Sequence, residues 1–113
     1  MPHLRSTPND SLDQLCRATL CLESVDECYS FFSDLLTVQE MTAFAQRLQI
    51  ARLLLEGNTY DMIRSQVPVS SSTITRINTE LRYGSGGYQL VLQRLGLSPA
   101  PKSQEELQPP PQP

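Results

Sequence analysis

Apolar residues recur along this chain at the three- and four-residue spacing of amphipathic helices, and polar capping signatures mark where several of them begin. Ser11-Leu12-Asp13-Gln14 has the form of a capping box, and Leu12, Leu15, Cys16 and Leu20 follow on one face. Ser24-Val25-Asp26-Glu27 repeats the signature before Cys28, Phe31, Phe32, Leu35 and Leu36. Thr37-Val38-Gln39-Glu40 gives it a third time and opens the longest helix, expected over residues 38–56. There Met41, Phe44, Ala45, Leu48, Ala51, Leu54 and Leu55 are read as inward, with Gly57 as the C-cap. Leu53-Leu54-Leu55 covers more than one side, so this helix needs apolar neighbours on several sides. In so short a chain a second copy is expected to supply some of them, which predicts a homodimer.

The pattern then tightens over residues 58–83. Thr59 stands at an N-cap position, and Ile63 and Val67 lie four apart on the short helix that follows. Pro68 lacks an N–H and its ring clashes with the carbonyl four residues back, so the helix must stop. Val69 and the hydroxyls of residues 70–72 lead into a further helix over residues 71–83, with Ile74, Ile77 and Leu81 inward. Two helices joined by so short a turn fit a helix-turn-helix. The glycines of Tyr83-Gly84-Ser85-Gly86-Gly87-Tyr88 allow a stop and reversal through positive φ. Leu90, Val91, Leu92 and Leu95 form a last short helix ending near Gly96. The expected organisation is all-α: a mobile arm at residues 1–10, one helical domain at 11–96, and a proline-rich tail at 97–113 too poor in apolar residues to fold.

Charge sharpens the functional reading. The net charge of the 113 residues is −3, which by itself argues against a nucleic-acid partner. Its distribution points the other way. Residues 1–41 carry seven acids and two arginines, whereas residues 42–94 carry six arginines and three acids. The basic stretch contains the helix-turn-helix, and an acidic remainder would limit non-specific binding. The polar face of the second helix presents Ser71, Ser72, Thr75, Arg76 and Thr79. Small hydroxyl residues permit close approach to a groove, and arginine can read guanine or hold a phosphate.

Other chemistry finds little support. Cys16, Cys21 and Cys28 lack C-x-x-C spacing and are expected as buried thiols of a cytoplasmic protein, while His3 is the sole histidine. Neither a metal site nor a cofactor is expected. No converging acid, base or nucleophile suggests an enzyme, and the glycine-rich turn lacks the lysine and the preceding strand of a nucleotide loop. No apolar run is long enough to span a membrane. The alternative to DNA reading is a helical protein-interaction module that turns the same polar face and the tail toward other proteins.

The run Ser72-Thr73-Ile74-Thr75-Arg76, following a short helix and a turn, closely resembles the tryptophan repressor family. Its continuation through Ile77-Asn78 and Leu81-Arg82-Tyr83-Gly84-Ser85-Gly86-Gly87-Tyr88 is similar to the YerC/YecD proteins related to it. The similarity covers about residues 37–95. It implies an all-helical, intertwined homodimer carrying two DNA-reading heads. By that resemblance Ser71, Ser72 and Thr75 match base-facing positions, and Thr73, Asn78, Thr79 and Arg64 match positions at or near phosphates. Thr37, Arg47 and Arg76 match residues that surround the tryptophan corepressor. Ile77 and Glu80 depart from it, standing where the family has a glycine beside the indole and a serine near the ammonium group. The implied protein is a regulator reading a roughly palindromic operator, with a vestigial pocket that does not take tryptophan.

Overall fold

The computed structural model describes residues 10–97. Six helices follow one another: α1 (Asp10–Leu20), α2 (Val25–Leu35), α3 (Val38–Leu55), α4 (Tyr60–Gln66), α5 (Ser71–Tyr83) and α6 (Gly87–Arg94). No strand occurs among the described residues. The chain divides into two units, residues 1–41 and 42–113. The expected arm and tail lie outside the described residues, except that Asp10 already belongs to α1 and the Leu97 N–H reaches Leu92 O at 2.9 Å.

The first unit is held by local interactions. α1 starts at Asp10, one residue before the expected cap, and Asp13 accepts a 2.9 Å bond from Arg17 Nε one turn on. Ser24 caps α2: its Oγ accepts the Glu27 N–H at 3.1 Å, and the Glu27 carboxylate reaches back to the Glu23 N–H at 2.8 Å. The box at Thr37 is reciprocal, with Oγ1 accepting the Glu40 N–H at 3.1 Å and Glu40 Oε1 accepting the Thr37 N–H at 2.8 Å. The Phe31 and Phe32 rings sit 5.3 Å apart, tilted by 55°. Neither α1 nor α2 has a single buried residue. Leu20 is 84% exposed and Val25, Tyr29 and Val38 are exposed with it. Cys16 and Cys21 are also exposed and Cys28 half-buried, which corrects the expectation of buried thiols: among the described residues nothing covers the helices around them well enough to form an interior.

The second unit contains the core. Ile50, Ala51, Leu53 and Leu55 of α3 pack with Tyr60 and Ile63 of α4, Ile74, Ile77 and Leu81 of α5, and Leu92 of α6. Burying side chains of this size stabilises the fold by about 1.5–3 kcal/mol each. The face of α3 differs from expectation. Ile50 and Leu53 are buried, whereas Phe44 and Ala45 lie at the surface. Apolar residues encircle this helix, so its period does not single out the side that meets α4 and α5. The helix ends at Gly57, whose φ of 93° lets its N–H reach Leu54 O at 3.0 Å while the Asn58 N–H reaches Leu53 O at 3.1 Å. That pair of bonds is the Schellman stop. Of the glycines at 84, 86 and 87 only Gly86 has positive φ. Gln89 Nε2 donates to Leu81 O at 2.7 Å, joining α6 to the end of α5.

Candidate nucleic-acid interface

α4 and α5 owe their placement to two caps and a proline. Thr59 Oγ1 accepts the Met62 N–H at 3.2 Å, starting α4. α4 gives way at Val67, whose N–H still reaches Ile63 O at 2.9 Å, and Pro68 follows. Ser70 then caps α5, its Oγ accepting the Thr73 N–H at 3.3 Å and lying 3.0 Å from Ser72 Oγ and 3.1 Å from Thr73 Oγ1. Among the hydroxyls at residues 70–72, it is thus Ser70 that caps. Ile74, Ile77 and Leu81 point into the core at 0%, 1% and 4% exposure, which fixes the rotation of α5 and leaves its other side outward.

On that outward side Ser72, Thr75, Arg76 and Thr79 are exposed, and Ser71 and Thr73 are half-buried. Asn78 does not join them: at 6% exposure its side chain lies within the fold, next along the chain from Ile77. Its expected place beside a phosphate came from a matched position, not from the helical period, which puts it near the inward edge. Arg64 is half-buried and already engaged, donating through Nη1 to Ser71 Oγ and through Nη2 to Asp61 Oδ1. Arg76 is freer, 3.7 Å from Glu80 one turn on, with its side chain 65% exposed. Thr79 Oγ1 donates to the Thr75 carbonyl at 2.9 Å. Thr75 Oγ1 donates instead to Tyr60 Oη at 3.2 Å, across from α5 to α4.

Two of these partners were not singled out in the sequence. Asp61 stands three residues before Arg64, a spacing that brings two side chains onto one helical face, so that pairing was available from the sequence. Tyr60 carries no such signal, because its partner is fifteen residues away and the contact exists only once two helices cross.

Of the residues matched to a ligand pocket, two share a cleft. Arg47 and Arg76 line one cleft of about 330 Å³ with Ala43, Gln46, Ile50, Pro68, Val69, Ser70 and Thr73. Ile77 is in the core, not on the cleft wall. Glu80 faces Arg76. Thr37 belongs to the first unit, where it caps α3. Burial pushes the Tyr88 phenol above its usual range, and the Glu80 carboxylate adds to the shift while Arg47 and Arg76 oppose it. Among the described residues no three His, Cys, Asp or Glu side chains converge as a metal site, and no helix is long and apolar enough to cross a membrane.

A capped, two-helix unit with a short turn, set on an all-helical scaffold, defines a helix-turn-helix protein. More narrowly, the chain belongs to the family described as Trp repressor protein, whose profile matches residues 10–96. It is 45% identical over 84 residues to the uncharacterized protein YerC of Bacillus subtilis (strain 168), covering 74% of this chain and 81% of that one. The fold is similar to that of a TrpR like protein from Eubacterium eligens, with a TM-score of 0.77 and 38% identity over 81% of this chain and 95% of that one. A Staphylococcus aureus crystal structure is similar to the same degree, with a TM-score of 0.77 and 36% identity over 87% of this chain and 98% of that one.

Proposed function

We propose that this chain is a sequence-specific, DNA-binding transcriptional regulator of the cytoplasm that works as an intertwined homodimer. The observation that carries the reading is the outward face of α5, where Ser72, Thr75 and Arg76 are exposed together beside the half-buried Ser71. Membership of the Trp repressor family supports it. The unburied apolar residues of α1 and α2 support a second copy as the partner of those helices. Two heads on a two-fold axis would read half-sites about 34–36 Å apart, so the operator is roughly palindromic.

Ser71, Ser72 and Thr75 take the base-facing role, and Arg76, Thr73 and Thr79 the role near phosphates. Arg64, held by Asp61 and Ser71, serves phosphate only by leaving Asp61. Asn78 is left out of the contact set because it is buried. Tryptophan is not the corepressor in this reading, since the Glu80 carboxylate already faces the Arg76 guanidinium that would otherwise attract an amino-acid carboxylate.

Selection of bound fragments from random or genomic DNA, repeated across salt concentrations, tests the reading. A palindromic site should be enriched and its affinity should fall with salt. Arg76→Ala should weaken binding to operator and unrelated DNA alike, by roughly tenfold, and lower the salt slope by about one. Thr75→Ala should mainly alter base preference. No enrichment at low salt from folded, dimeric protein would overturn the reading in favour of a protein-interaction module, which the net charge of −3 would then fit.

A further inference from the structure

Thr75 and Thr79 sit one turn apart on α5, yet their hydroxyls pair with different partners. Thr79 Oγ1 donates to its own helix, to the Thr75 carbonyl at 2.9 Å, the usual recourse of a helical threonine. Thr75 Oγ1 donates to Tyr60 Oη at 3.2 Å. Tyr60 is the first residue of α4, and at 2% exposure its ring is fixed by the core. Its hydroxyl is therefore a stationary partner beneath an exposed side chain, and it selects the rotamer of Thr75.

The bond ties the exposed Thr75 side chain to a part of α4 that the core fixes, so its hydroxyl and methyl group are presented outward in one orientation. We infer that Tyr60 is a specificity-positioning residue: it holds Thr75 in that orientation, so that each head discriminates at one base pair of its half-site. The inference rests on the DNA-reading role proposed above and names what orients one of its contacts. Without Tyr60 Oη the Thr75 side chain can rotate and tolerate any base pair.

The test is selection from randomised duplexes by the full chain and by Tyr60→Phe, Thr75→Ser and Thr75→Val, at one salt concentration. Tyr60→Phe keeps the buried ring and strands no buried polar group, because the other partner, Thr75, is exposed. It should relax one position of each half-site by about 3- to 10-fold, the scale of one hydrogen bond. Affinity for unrelated DNA, titrated separately across salt concentrations, and its salt slope should not change, whereas a disturbed fold would alter both. Thr75→Ser should keep the preference, and Thr75→Val should abolish it at the same position with no further loss when Tyr60→Phe is added. If Tyr60→Phe returns the base frequencies of the parent, the role of Tyr60 is overturned while DNA reading stands. If Thr75→Val and Tyr60→Phe relax different positions, the coupling is overturned, and where Tyr60→Phe does not fold, a Thr75→Val variant that relaxes no position overturns it instead. If the parent enriches no site, the DNA reading itself falls.

Discussion

At Gly84 a side chain has nowhere to go, since a Cβ would lie 2.5 Å from the Glu80 carbonyl oxygen, and that oxygen is accepting the Gly84 N–H at 2.9 Å. The obstacle is backbone of the reading helix itself, which cannot swing aside as a flexible side chain would. Gly84→Ala should cost about 1–3 kcal/mol by overpacking, read as a lower denaturant midpoint. DNA affinity should fall less than stability, because the outward residues of α5 lie mostly in its earlier turns. The sequence pointed to these glycines through positive φ, which holds at Gly86 but not at Gly84, where φ is −85°. A close approach of backbone to backbone leaves no trace in residue spacing. Asn78 is a different case: the fold buries it, as the helical period implies, and so departs from the place beside a phosphate that its matched position suggested.

Among the elements, α5 was legible almost in full, because both its ends are written in local chemistry. Pro68 and Ser70 define the start, and Ile74, Ile77 and Leu81 mark the inward stripe. α3 was legible in length but not in orientation, since a helix apolar all round can be rotated without exposing anything more polar. The Thr37 box could be read because both partners lie within four residues, and the Tyr60–Thr75 bond could not because it depends on how α4 and α5 cross. Ser70 gives the element its own prediction. Its Oγ accepts the Thr73 N–H and lies near the Ser72 and Thr73 hydroxyls, so Ser70→Ala removes the cap and a neighbour of the outward face together. Thermal or denaturant unfolding should show a loss of about 1 kcal/mol, and Ser70→Gly should lose only a few tenths. Fraying of the first turn should also reduce discrimination between operator and unrelated DNA.

For the whole molecule, burial is uneven. Every buried side chain of the described residues lies between Ile50 and Leu92, while the helices before α3 leave Leu20, Val25, Tyr29 and Leu35 exposed. Apolar surface on this scale suits a protein partner, and in the proposed dimer that partner is a second copy. The melting temperature should therefore rise with protein concentration, since association stabilises the folded state by mass action. Leu35→Asp should shift sedimentation toward the monomer and remove that dependence, while the circular dichroism of the helix-turn-helix persists. A melting temperature independent of dilution would count against the dimer. The acidic balance of residues 1–41 fits the proposed dimer, in which an acidic pairing region would keep stray DNA away from everything but the heads.

The uneven burial also imposes an order in time. During synthesis α1 and α2 emerge first, and nothing within them forms an interior. The chain from Ile50 to Leu92, which holds the whole buried set, follows over roughly 2–8 s at ordinary elongation rates of about 5–20 residues per second. For that interval the nascent protein shows an apolar leading segment with no core behind it. The reading head, whose helices are neighbours in sequence, can close as soon as α6 is free. In the proposed dimer the newborn chain is thus a folded but unpaired head until it meets its twin, and only then would two half-sites be read.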